Sequence, residues 1–121
     1  MVKNILIVDD EEDICYLLKS ILKRQTDAKI DIANSCKTGE HLLSKQSYDL
    51  AFLDMQLGDG TGADLIHFIK NESNQNPFIA VISAHTTSAD IQKVKDLSVH
   101  EFIQKPLSRE KIINCYLAAA G

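Results

Sequence analysis

Five short runs of strand-like sequence alternate along this chain with stretches whose apolar residues recur at helical spacing. Nothing else in the sequence narrows the fold as much. The runs are NILIV (Asn4 to Val8), KIDIA (Lys29 to Ala33), DLAFL (Asp49 to Leu53), FIAVI (Phe78 to Ile82) and HEFIQ (His100 to Gln104). Between them, Ile14, Leu17, Leu18, Ile21 and Leu22 mark a first helix. Leu42 and Leu43 lie on a second that starts near Ser35, and Ala63, Leu65, Ile66 and Ile69 on a third. Thr87 and Asp90 have the spacing of a capping box, ahead of a fourth helix with Ile91, Val94 and Leu97 on its inner stripe. Ser108 can cap a fifth, carrying Ile112, Ile113, Tyr116 and Leu117.

Strands that alternate with helices predict a parallel sheet covered on both faces. NILIV, LAFL and FIAVI are apolar at consecutive positions, as strands buried on both faces are. KIDIA and HEFIQ are half polar, which suits the two edges. With the second and fifth strands outside and right-handed crossovers between parallel neighbours, the simplest order is 2-1-3-4-5. That is the flavodoxin-like doubly wound α/β arrangement, with five helices. Ligands of such sheets bind beyond the carboxyl ends of the strands, at the switch point between the first and third.

The 121 residues, 45% of them hydrophobic, suffice for one domain spanning 1–121 and for no second core. A net charge of −4 leaves no basic face, so direct nucleic-acid binding is not expected. The apolar run after Lys3 is too short for a signal peptide, and none approaches a membrane span. Cys15, Cys36 and Cys115 form neither a CxxC pair nor a zinc pattern. They are expected to be reduced, mostly buried thiols, consistent with a cytoplasmic protein. His41, His67, His85 and His100 share no metal-ligand spacing and are expected at the surface or at an interface.

The strand ends carry the chemistry. The first strand runs into five consecutive acids, Asp9, Asp10, Glu11, Glu12 and Asp13. Two carboxylates about 4 Å apart repel by about 1 kcal/mol in water and about 4 at an effective dielectric near 20. Glu11, Glu12 and Asp13 open the first helix, where its dipole favours negative charge. Asp9 and Asp10 need another reason. The third strand ends in Asp54, the fourth in Ser83, and Lys105 and Pro106 follow the fifth. Three carboxylates, a hydroxyl and an ammonium thus converge on one rim. Such oxygens suit Mg²⁺, and Lys105 and Ser83 could then serve a phosphoryl group.

ILIVDDEED, AFLDMQLGDGTG, AVISA and FIQKP, each at the end of its own strand, resemble the four signatures of the response-regulator receiver domain, in order and over the whole chain. The resemblance implies that Asp54 accepts a phosphoryl group from a histidine kinase or a histidine phosphotransfer protein. Asp10 would bind Mg²⁺ directly, Asp9 would act nearby through water, and the Gln56 carbonyl would be a further ligand. Lys105 would pair with Asp54 and then with the phosphoryl oxygens. Ser83 would be the switch hydroxyl and Phe102 the switch aromatic, and Lys105–Pro106 would be cis. The α4-β5-α5 face would change shape for a downstream partner or effector domain. Such a domain catalyses only its own phosphorylation and dephosphorylation and is not otherwise an enzyme.

Plainer readings stay open for single residues. Asp9 and Asp10 read as helix-start acids, Asp54 as a loop acid, Lys105 as a surface lysine, Ser83 as a core hydroxyl and Phe102 as a static core aromatic. A degenerate receiver that only binds a partner is the alternative function. A haloacid-dehalogenase-like phosphatase needs an acid where Gln56 stands, and a flavodoxin needs a phosphate loop where DDEED would repel one. Gly58 replaces the proline usual four residues after the acceptor, so a more mobile loop is expected. Gln56 and His85 flank the site and are expected to tune water access to an acyl phosphate. The chain closes on AAAG just after the fifth helix, compatible with a stand-alone receiver or with part of a longer regulator.

Overall fold

The computed structural model describes residues 2–84 and 88–121, apart from the side chains at 90, 91, 93 and 94. His85 and the expected Thr87–Asp90 cap lie outside the described residues, as do the side chains of Ile91 and Val94. The chain runs β1 (Asn4–Val8), α1 (Glu12–Lys23), β2 (Lys29–Ala33), α2 (Cys36–Lys45), β3 (Leu50–Asp54), α3 (Gly62–Asn71), β4 (Phe78–Ser83), α4 (Ser88–Asp96), β5 (Glu101–Gln104) and α5 (Arg109–Ala120). All neighbouring strands are parallel, in the order β2-β1-β3-β4-β5. This is the order expected from the apolar and half-polar patterns of the strand sequences. β3 and β4 each reach one residue further than their apolar runs suggest, so Asp54 and Ser83 are the last residues of their strands.

Period-two alternation divides the core. Ile5, Ile7, Leu50, Phe52, Ala80 and Ile82 face α1 and α5, where they meet Cys15, Leu18, Leu22, Ile112 and Cys115. Leu6, Val8, Ala51, Leu53, Ile79 and Val81 face α2 and α3, against Leu43, Leu65, Ile66 and Ile69. Leu97 and Val99, which follow α4, pack on that second side. The edges are managed by polar groups. On β2, Asp31 accepts hydrogen bonds from the Tyr48 hydroxyl (2.7 Å) and from Gln46 Nε2.

Two expected core residues are not in the core. Leu17 is 39% exposed and Leu117 56% exposed. Each lies two residues, about 200° of helical turn, beyond a buried cysteine, Cys15 or Cys115. Caps fall where expected at Ser35, which accepts from the Thr38 amide, and at Ser108, which accepts from the Lys111 amide. A capping box that the sequence reading passed over joins Thr61 and Asp64 at the start of α3. No helix among the described residues is long and apolar enough to cross a membrane.

Candidate functional site

The sheet order puts the ends of β1 and β3 side by side, and the groups they carry meet there. Asp9 is fully buried and Asp54 is 5% exposed, while Asp10 stands at the surface. One carboxylate oxygen from each lies within 4.8 Å of the others. Lys105 comes in from beyond β5, across a cis Lys105–Pro106 bond. Its Nζ lies 3.3 Å from Asp54 Oδ2, 3.3 Å from Asp9 Oδ2 and 3.7 Å from Glu11 Oε1. The resemblance implies a Lys105–Asp54 pair; in the structure Asp9 is an equal partner.

The electrostatics follow from burial. Burial pushes the Asp9 carboxyl up to about 6, the Glu11 amide pulls it back, Asp54 pushes further up, and Lys105 opposes. Lys105 is drawn down by its own burial, but Asp54 and Asp9 outweigh this and leave its ammonium above the usual lysine range. Asp9 Oδ1 accepts from the Glu11 amide at 2.8 Å. Asp9 Oδ2, although ion-paired with Lys105, receives no hydrogen bond among the described residues. A buried carboxylate oxygen held by an ion pair alone, among three converging acids, is what a hard cation with oxygen preference would satisfy. The donor set therefore fits a divalent metal, with Asp9, Asp10 and Asp54 as the cluster.

Ser83 closes β4 and is 6% exposed. Phe102 on β5 is half-buried, in register with Val81. Val81 and Ser83 share a face by period two, so Ser83 and Phe102 lie on the same side of the sheet, where Phe102 packs against the α2–α3 core. Gln56 follows Asp54 at the surface, and its amide donates to Asp54 Oδ1 at 3.2 Å.

Several supporting residues were not found from the sequence. Asn34 Nδ2 donates to the Asp9 carbonyl at 2.9 Å, and the Cys15 thiol donates to the same oxygen at 3.3 Å. Burial and the Asp9 charge push that thiol up to about 11, so it acts as a donor and not as a nucleophile. The strand order holds a clue: the residue after β2 must lie beside the end of β1. Gly62 is a second case. A Cβ there would fall 2.7 Å from the Asp54 carbonyl oxygen, so only glycine lets α3 start against the end of β3.

Over residues 5–116 the sequence matches the family profile of the response regulator receiver domain. This chain belongs to that family. Receiver domains are the signalling modules of two-component systems. The response regulator protein PilR of Pseudomonas aeruginosa is 36% identical over 104 residues, covering 84% of this chain and 22% of that protein. The sensory transduction protein LytR of Staphylococcus saprophyticus is 36% identical over 111 residues, covering 88% and 41%. The receiver domain thus spans well under half the length of these relatives. Among solved structures, a two-component response regulator from Clostridium difficile superposes with a TM-score of 0.89 at 27% identity, covering 98% of this chain and 95% of that one. A CheY-like receiver domain protein from Methanospirillum hungatei has a TM-score of 0.85 at 21% identity, covering 98% and 93%, which speaks for the fold alone.

Proposed function

We propose that Asp54 accepts a phosphoryl group from a phosphohistidine, on a sensor histidine kinase or a histidine phosphotransfer protein, in a Mg²⁺-dependent reaction. The observation that carries this reading is the Lys105 ammonium held 3.3 Å from both Asp54 and Asp9, with Asp10 beside them. An Asp54 oxygen attacks phosphorus. A P–O bond forms as the P–N bond breaks, and the leaving imidazole keeps the electron pair and takes up a proton. Lys105 follows the charge onto the phosphoryl oxygens, and the Gln56 amide holds the acceptor carboxylate in its orientation. Asp9, Asp10, Asp54 and the Gln56 carbonyl would hold Mg²⁺, which when bound offsets the acidic charge and that of the incoming phosphate.

The product is an acyl phosphate at the rim where β4 ends in the buried Ser83. Ser83 turns to donate to the new oxygens, Phe102 moves into the space beside it, and the face of α4, β5 and α5 changes for a downstream protein or effector domain. Domain limits of 1–121 and a cytoplasmic setting belong to the same reading, which the three free, buried cysteines support.

The test is intact mass after incubation with Mg²⁺ and acetyl phosphate, for wild type and Asp54→Asn. A single added phosphoryl group, lost with EDTA and in the variant, supports the proposal. No addition, together with no binding of beryllofluoride, overturns it and leaves a degenerate receiver that acts only as a protein-interaction module.

A further inference from the structure

The loop from β3 to α3 carries Gln56, and its Gly58 has φ +71°, a backbone setting that favours glycine. At its base, Met55 N donates to Ile82 O at 3.0 Å and Gly62 N to Met55 O at 3.2 Å. Inside it, Leu57 is buried and its amide donates to Gly60 O at 3.1 Å. Its tip reaches across to another element. Asp59 Oδ1 accepts from the Cys36 amide at 2.8 Å, and Asp59 Oδ2 accepts from the Lys37 amide at 3.1 Å.

Those are the first two amides of α2. The next, Thr38, donates to Ser35 Oγ at 3.1 Å, and Gly39 donates to the Ser35 carbonyl at 3.0 Å. Gly39 makes the first bond within the helix, and the three amides ahead of it that a helix start leaves open are all bonded, two of them to a residue more than twenty positions away. A carboxylate suits that place, because the helix dipole favours negative charge. The two amides hold the exposed Asp59 carboxyl below its ordinary value. Gly60 fits closely behind it, where a Cβ would lie 3.0 Å from Cys36 Sγ.

We propose that Asp59 is a positioning residue for the acceptor site: by clasping α2 it holds the Gln56 peptide, whose amide orients Asp54 and whose carbonyl faces the cation. The cation half of this rests on the function proposed above; the clasp does not. The loop's glycines predict mobility, and Asp59 gives the loop an anchor that its composition does not reveal.

The experiment compares Asp59→Ala and Asp59→Asn with Ser35→Ala, which removes a cap from the same helix without touching the loop. In metal-free protein, amide exchange at Gln56 and Leu57 should quicken in Asp59→Ala and less in Asp59→Asn, which keeps one acceptor. In Ser35→Ala only the α2 amides should quicken. Calorimetric Mg²⁺ affinity should weaken roughly fivefold in Asp59→Ala, the scale of one lost cap, and stay within about twofold in Ser35→Ala. Equal effects of Asp59→Ala and Ser35→Ala on the loop amides, or on Mg²⁺ affinity, would overturn the proposal. If wild type binds no Mg²⁺, the function above fails, and the amide exchange still decides the clasp.

Discussion

Asp9→Asn should make the metal-free domain more stable, although it alters a fully buried residue of the site. Burial raises the Asp9 carboxyl to about 6 in the fold, against the ordinary aspartate value of 3.8. A difference of about 2 units at about 1.4 kcal/mol per unit is about 3 kcal/mol of strain carried by the ionised form. Burial is its largest cause and the Asp54 charge adds to it. Asparagine keeps an oxygen for the Glu11 amide and removes the charge, and Lys105 retains Asp54. The expected gain at pH 7.5 is about 1–3 kcal/mol, with the upper figure set by the shift itself. For a carboxyl whose folded value is raised, the folded state holds the extra proton between about pH 4 and 6. Wild-type stability therefore falls across that window as pH rises and levels off above it. Urea unfolding in EDTA at several pH values reads this directly, with the variant's midpoint at pH 7.5 about 1–2 M higher. At pH 4 the two proteins should converge. A difference of the same size at pH 4 and 7.5, or a less stable variant, would refute the reasoning.

Lys105→Met removes the only basic group that the described residues place against these two buried acids. It should destabilise the metal-free domain by about 2–4 kcal/mol while tightening Mg²⁺ binding by calorimetry, since ammonium and metal compete for the same oxygens. Unchanged or weaker binding would reject that rivalry. Asn34→Ala deletes one of the two donors to the Asp9 carbonyl. It should cost about 1 kcal/mol in denaturant unfolding; a variant as stable as wild type would mean the Cys15 thiol suffices. Gln56→Ala bares the acceptor to solvent and should shorten the acyl-phosphate lifetime, followed by intact mass after removal of the donor. An unchanged lifetime removes Gln56 from the control of water.

What the sequence revealed was what depends on strand character. Consecutive apolar residues in NILIV, LAFL and FIAVI placed three strands inside the sheet, and the polar positions of KIDIA and HEFIQ placed two outside. Once the order was set, the residues that close or follow each strand had to lie on one rim, which is how Asp9 after β1, Asp54 and Ser83 at the ends of β3 and β4, and Lys105 after β5 stand out in the sequence. Asn34, Cys15 and Asp59 were not found because their partners are backbone atoms of other segments. No periodicity marks an amide donor 23 residues from its acceptor. Leu17 and Leu117 were misplaced for a related reason. A leucine beside a buried stripe has the same composition as one within it, and only the packing of α1 and α5 decides which turns outward.

The contact between Gly62 and the acceptor strand bears on how genetic data for this domain are to be read. A loss-of-function screen scores phenotype, and every side chain at position 62 pushes on the carbonyl of Asp54, the proposed acceptor. Substitutions there will therefore group with those of Asp54, although Gly62 has no atom that meets substrate. The converse holds for Asp10, whose exposed side chain can be replaced without disturbing the packing. A map of sensitive sites drawn from phenotype alone therefore merges crowding at Gly62 with the proposed cation binding at Asp10, and a stability measurement on each variant separates the two.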